Sequence, residues 1–372
     1  MMFSFRRMAA VARKELRHIL RDHRMRPVLF IVPVMQLIIL GYAANMDVDH
    51  VKMMVVDHDR SPVSREVAQR LDAGVAFDVV EITEYEADAE RALDAGDAEV
   101  AILLPPGLAR GLARAEAVDV PMWLDGTDSN RGTIAQTYAE TILAGISADH
   151  LPARQAPIGR ADPRVRVLYN PALRSRWFMV PGVVVMVLAV VTSLLSAMAI
   201  VKEREKGTIE QLVVTPIRPA ELIAGKLLPF VGIGLFIAAL VTVAAIIVFG
   251  VPFRGSFLDL VLMCLVFLMS TLGVGLLGST LAQTQQQAML AVFLVLMPSF
   301  LLGGVFYPIS NMPGWAQTLA NLTPVRYFIE IVRALFLKGA GLDVLAADAA
   351  ALAAIGLVVL GVATFRFRKR SA

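Results

Sequence analysis

The sequence predicts a polytopic α-helical membrane protein with six transmembrane helices and an extracytoplasmic α/β domain inserted between helices 1 and 2. Three observations predict it. The 372 residues are 57% hydrophobic with a mean hydropathy of +0.65, above what a soluble domain needs to fill its core. Six uncharged apolar runs, at about 27–44, 178–200, 228–250, 260–282, 288–309 and 349–365, approach or exceed the roughly 20 residues that cross a bilayer as a helix. Between the first two runs lies a hydrophilic insert, 45–177, the size of a small domain.

Residues 1–26 carry eight basic side chains: Arg6, Arg7, Arg13, Lys14, Arg17, Arg21, Arg24 and Arg26. Phe5, Met8, Ala12, Leu16 and Ile19 recur at helical spacing, with arginines on the other face. Such a helix is expected to lie along the inner membrane surface. "GYAAN" after the first run faintly resembles a processing site. A charged region of 26 residues is too long for a signal sequence, so 27–44 reads as an uncleaved first span.

The insert alternates strands with helices, the pattern of an α/β domain. "VKMMVVD" (51–57) reads as a strand ending in a turn. "SPVSREVAQRLDAG" (61–74) reads as a helix with Ser61 as N-cap, Pro62 at the first position and Gly74 as the stop. "VAFDVVEI" (75–82), "AEVAILLP" (98–105) and "VDVPMWLD" (118–125) supply further strands. "EYEADAERALDAG" (84–96) and about 130–147 supply further helices. "VVDHDRS" holds Asp57 and Asp59, and "LDGTDSN" holds Asp125, Asp128 and Asn130. Both clusters read as turns with Asp and Ser caps, the alternative being a surface for an extracytoplasmic partner.

Residues 178–365 hold the other five spans. Basic residues set their threading, because short cytoplasmic loops are rich in Lys and Arg. Residues 201–226 carry five, the tail 366–372 carries four (Arg366, Arg368, Lys369, Arg370), and the linker after the third run has only Arg254. Six spans with both termini cytoplasmic satisfy all of these biases.

The spans contain no Asp, Glu, Lys, Arg or His, which argues against proton or sodium coupling. No G-x-x-x-x-G-K-[ST] phosphate loop occurs, so the chain is not expected to bind ATP in that way. Cys264 is the single cysteine, and no Cys or His cluster has metal spacing. The expectation is therefore no catalytic, cofactor or metal site in this chain, and an energy source on a partner. Such a partner needs a handle on the cytoplasmic side.

The handle is "VKEREKGTIEQLVVTPIRPAELIAGK" (201–226), with four acidic and five basic residues between two bare spans. Glu203, Arg204, Glu205 and Lys206 extend the second span beyond the membrane, and Gly207 breaks or bends it. Thr208 starts a short helix that ends before Pro216, and Pro219 comes early in the next one. A solvated connector would have similar charge density.

Read as E-R-E-K-G-T-x-E-Q-L-x-x-T-P-x-x-P-x-E-x-x-x-G-K, this segment resembles the signature of ABC-2-type transporter permeases, the membrane subunits of ATP-binding-cassette exporters. "VVDHDRSPVSREV", "LDGTDSN", "YNPALRSRWFMVPG" (169–182) and "FYPISNMPGWAQTLANLTPVRYF" (306–328) are similar to a multidrug-efflux branch with a large extracytoplasmic domain.

The resemblance implies that the elbow is a coupling helix. Glu203, Arg204, Glu205, Lys206, Gly207, Thr208, Glu210 and Gln211 would contact or position an ABC ATPase subunit that carries ATP and Mg. Residues 1–26 would be the family's connecting helix. Residues 307–344 would be an outer re-entrant hairpin, with Trp315, Pro324, Tyr327 and Phe328 as outer-gate candidates. For the aromatics the plain alternative is an interfacial belt.

The implied assembly is a dimer with a second permease copy or paralogue in a bacterial inner membrane. A periplasmic adaptor is an optional further partner and no nucleic acid is implied. The cargo would be amphipathic molecules or drugs. The competing reading is a membrane-anchored sensor or assembly scaffold, which needs neither the elbow nor six spans.

Overall fold

A computed structural model describes residues 5–23, 25–43, 50–74, 76–126, 129–150, 169–170, 174–205, 207 and 219–371. The chain divides into a helical unit, Met1–Met46 with Arg166–Ala372, and a second unit, Asp47–Val165.

The second unit is α/β. Its elements are β1 (Val51–Asp57), α3 (Pro62–Asp72), β2 (Phe77–Thr83), α4 (Glu86–Ala95), β3 (Val100–Leu104), α5 (Leu108–Ala113), β4 (Met122–Leu124) and α6 (Ser129–His150). The sheet order is β2-β1-β3-β4, with β1 parallel to both neighbours and β4 antiparallel to β3. Alternation of side chains along each strand gives the sheet two apolar faces. Val51, Met53, Val55, Val100, Ile102 and Leu104 pack against α3, α5 and α6, while Met54, Val56, Ala101 and Leu103 pack against Ala89 of α4.

Helix α3 starts as its sequence predicts: Ser61 and Ser64 form a reciprocal capping box and Pro62 follows the cap. Its end differs. Ala73 caps it in a right-handed conformation, so Gly74 is not the stop. The fourth strand is also shorter than the predicted 118–125, and α5 stands where no helix is predicted. Six residues with an internal glycine give too weak a periodic signal.

Helix α5 has a cap supplied from 48 residues away. The Asp59 carboxylate accepts from the backbone N–H of Gly107 at 2.7 Å and of Ala109 at 3.1 Å. Burial disfavours this charge, but hydrogen bonds from Ser61 and from the Ala109, Gly107 and Leu108 amides outweigh it and hold the carboxyl below its ordinary range. A depressed folded value means that the stabilisation is complete above the unfolded value of about 4 and is lost as pH falls through the folded one. Asp59→Asn in the full chain loses the charge and one of the two acceptor oxygens and is expected to destabilise at pH 7, by less than the roughly 1 kcal/mol that a whole helix cap is worth. The cost should shrink as pH falls through the folded value. Protease resistance of residues 47–165, followed from pH 7 to pH 2, reads it out; a penalty that is flat with pH would contradict this account.

In the helical unit, α1 (Phe5–Arg21) and α2 (Met25–Ala43) are followed by α7 (Ser175–Glu205), α8 (Pro219–Phe249), α9 (Phe257–Leu281) and α10 (Gln285–Leu302). A 3-10 turn (Ile309–Asn311), α11 (Gly314–Ala320), α12 (Pro324–Arg333), a π turn (Ala334–Lys338) and α13 (Leu342–Ser371) complete it. Among the described residues five helices, α7, α8, α9, α10 and α13, are long and apolar enough to cross a membrane. The first predicted run lies in α2, whose apolar segment Leu29–Ala43 is shorter. Arg366 and the basic residues after it, expected as a tail, continue α13.

Helix α7 is the spine of this unit, buried along most of its length and packed against α2, α8, α9, α10 and α12. Its seam with α9 is closed by small polar residues, as in membrane helices whose backbones approach closely. Thr192 Oγ1 donates to Thr271 Oγ1 at 2.9 Å, Ser193 Oγ to the Thr271 carbonyl at 2.9 Å and Ser196 Oγ to the Leu272 carbonyl at 3.0 Å. Gly275 makes the approach possible: a Cβ there would stand 2.2 Å from the Ser193 carbonyl oxygen.

Candidate functional site

The last turn of α7 carries the first residues of the elbow signature, and each reaches a different element. Lys202 Nζ stands 3.8 Å from Asp22 Oδ2, just past α1. Glu203 pairs with Lys226 of α8, whose ammonium also stands 3.9 Å from Glu15 Oε1 of α1. Arg204 donates to the Ser279 carbonyl at 3.0 Å and to that of Ala282, at the end of α9. Glu205 accepts from the Gln285 backbone N–H at 2.8 Å and from its side-chain amide, at the start of α10.

Arg204 complements the negative end of the α9 dipole, and Glu205 the positive end of α10. Lys226 is 95% buried at its side chain, and Glu15 and Glu203 are more than four-fifths buried. A charge removed this far from water persists only when paired.

Gly207 then ends the helix. Its N–H bonds to the Arg204 carbonyl at 3.0 Å, and its φ of +67° is a left-handed stop that suits glycine. Lys206, Thr208, Glu210 and Gln211 lie outside the described residues, as does the short helix expected before Pro216. The signature thus has a half that ties four neighbouring elements to α7, and a second half beyond it. Sequence reasoning found these residues but not their partners, which come from distant positions in the chain, 80 residues away in the case of Glu205 and Gln285.

The outer-gate candidates are not brought together. Trp315 on α11 is 68% exposed. Pro324 opens α12, and Tyr327 Oη donates to the Asn321 carbonyl at 3.0 Å. Phe328 is fully buried, stacked on Phe267 of α9 with ring centroids 4.1 Å apart. It holds α12 against the bundle and has no open face.

Arg333, at the end of α12, is a residue the sequence reading missed. Its guanidinium donates to the carbonyls of Phe178 at 3.1 Å, Gly304 at 2.9 Å and Val305 at 3.2 Å, and stacks 3.6 Å from the Phe178 ring centroid. It fastens the start of α7 to the chain that leaves α10. Its signal is the lone cation in the otherwise apolar stretch "IVRALFL", which no counted span contains.

In the α/β unit, Asp57 Oδ1 accepts from the N–H groups of Asp59 and Arg60, and its Oδ2 from Ser64 Oγ at 2.7 Å. The carboxylates of "VVDHDRS" therefore serve turns and caps. Asp128 and the Asn130 side chain lie outside the described residues.

A family profile described as ABC-2 family transporter protein matches residues 25–365. The chain belongs to this family. The Probable multidrug ABC transporter permease YbhR of Escherichia coli (strain K12) is 31% identical over 340 residues, covering 91% of this chain and 92% of the relative. The Probable multidrug ABC transporter permease YbhS of the same organism is 29% identical over 374 residues, covering 99% and 98%. The Inner membrane transport permease YhhJ, also from that strain, is 27% identical over 361 residues, covering 96% and 95%. The protein is thus a polytopic helical membrane protein and the permease subunit of an ABC exporter, with ATP hydrolysis on a separate subunit. The comparisons favour export over the sensor or scaffold reading.

Proposed function

We propose that this permease exports amphipathic or drug-like molecules from the cytoplasm, driven by an ABC ATPase that binds ATP and Mg and presses on residues 201–226. The supporting observation is the collar around the last turn of α7. Lys202, Glu203, Arg204 and Glu205 tie that turn to α1, α8, α9 and α10, so a displacement of the elbow moves all of them together. Bare spans suit an apolar path, and two relatives carry multidrug names.

In this reading α2 is the sixth span and both termini are cytoplasmic. The α/β unit lies outside the inner membrane, where it can meet a periplasmic adaptor. Two copies, identical or paralogous, enclose the path. Lys206, Thr208, Glu210 and Gln211 face the ATPase, while Glu203, Arg204 and Glu205 position them.

Purification in mild detergent after expression with its chromosomal neighbours tests this. A separate ATPase is expected to copurify, and the permease alone should hydrolyse no ATP, since it has no phosphate loop. ATP hydrolysis by the permease after every other polypeptide has been removed would overturn the reading.

A further inference from the structure

A groove of 510 Å³ runs between α1, α2 and α8, within the size range of small-molecule sites, about 300–1,000 Å³. Leu16, Leu20, Phe30, Leu228, Gly232 and Phe236 line it, and Phe30 meets Phe236 edge to face at 5.3 Å. Five of these are large apolar side chains left between 39% and 50% exposed. Arg13 is the one charged residue among its described lining. Arg17 follows one helical turn later on the same side of α1, and both arginines are exposed. Glu15, the one acidic residue of α1, points instead to Lys226. The rim is therefore cationic and the trough aliphatic and aromatic.

We propose that this groove binds an anionic phospholipid, one acyl chain along Leu228, Gly232 and Phe236 and the phosphate on Arg13 and Arg17. Charge complementarity selects the occupant. The trough belongs to two apolar helices of a membrane protein, so its occupant is aliphatic, and the arginines lie on the polar side of the amphipathic helix, where lipid headgroups sit. A zwitterionic lipid offers the same phosphate with a cation beside it, which the arginines repel. The inference rests on the membrane setting of the helical unit and not on coupling to an ATPase.

The test uses the full-length permease, stripped of lipid in mild detergent and titrated with dioleoyl-phosphatidylglycerol, dioleoyl-phosphatidylcholine or glycerol 3-phosphate. Native mass spectrometry counts bound molecules. One phosphatidylglycerol per chain is expected to bind about tenfold more tightly than phosphatidylcholine, and glycerol 3-phosphate should not displace it. Arg13→Gln and Arg17→Gln should each weaken phosphatidylglycerol about fivefold and leave phosphatidylcholine unchanged. Gly232→Phe should abolish this site for both lipids, and the fold accommodates it because nothing lies within 4 Å of a Cβ there. Equal affinity for the two lipids, or arginine variants that bind like the parent, would overturn the proposal whatever Gly232→Phe does. So would a Gly232→Phe protein that keeps its lipid and loses its dimer, which would assign the groove to a second copy.

Discussion

Gly275→Leu is expected to leave no folded helical unit. A Cβ at this position stands 2.2 Å from the Ser193 carbonyl oxygen, 2.8 Å from Ser196 Cβ and 3.1 Å from the Ala197 nitrogen. Two of these atoms are backbone, so no rotamer change relieves the contact and α7 must part from α9. Overpacking alone costs about 1–3 kcal/mol. Parting the helices also breaks the bonds of Thr192, Ser193 and Ser196, each worth about 0.6–1.7 kcal/mol in membrane proteins. The sum is a large fraction of the roughly 5–15 kcal/mol that holds a typical domain. Gly361→Leu, where nothing lies within 4 Å, is the matched control and should be tolerated. Size-exclusion profiles and thermal midpoints in mild detergent separate the two. A monodisperse Gly275→Leu protein with the parent midpoint would show that the helices do not meet here.

Lys226→Met is expected to uncouple transport and to destabilise the elbow end of the bundle by about 3 kcal/mol. Glu203 and Glu15, both largely buried, lose the ammonium between them. The double variant Glu203→Gln, Lys226→Met removes a positive and a negative charge together and should recover part of the lost stability, the remainder staying with Glu15, which still lacks the ammonium. Transport should stay impaired in the double variant, because α7 and α8 are no longer tied by charge where the elbow begins. Thermal midpoints measure the first effect, and cargo efflux per ATP hydrolysed the second. Full efflux from Lys226→Met would reduce the ion pair to a packing detail.

The elements with a strong local period were legible in the sequence. The β-rich run "VKMMVVD" fixes β1, Ser61 and Pro62 fix the start of α3, and uncharged length fixes five of the membrane helices. Gly207 marks the end of α7 because a left-handed stop is a local property. What the sequence hid was long-range. Asp59 looks like a turn residue until α5 is folded onto it, and nothing local to Phe328 signals that Phe267 stacks on it. The elbow charges were found as a motif, but their spacing carries no sign that Arg204 would reach the end of α9 or Glu205 the start of α10. Nothing in the sequence marks the serine and threonine residues of α7, since their partners on α9 lie 76 to 79 positions away.

Helix α7 has 31 residues, which at about 1.5 Å each is a rod of roughly 46 Å. At one end stands Phe178, whose carbonyl is held by Arg333, and at the other the charged turn that ends at Glu205. Pro181 removes one ladder bond close to the Phe178 end, and from there the helix is unbroken to the charged turn. In the proposed export cycle, a displacement of the charged turn would load the guanidinium–carbonyl bonds at the opposite end of the same helix.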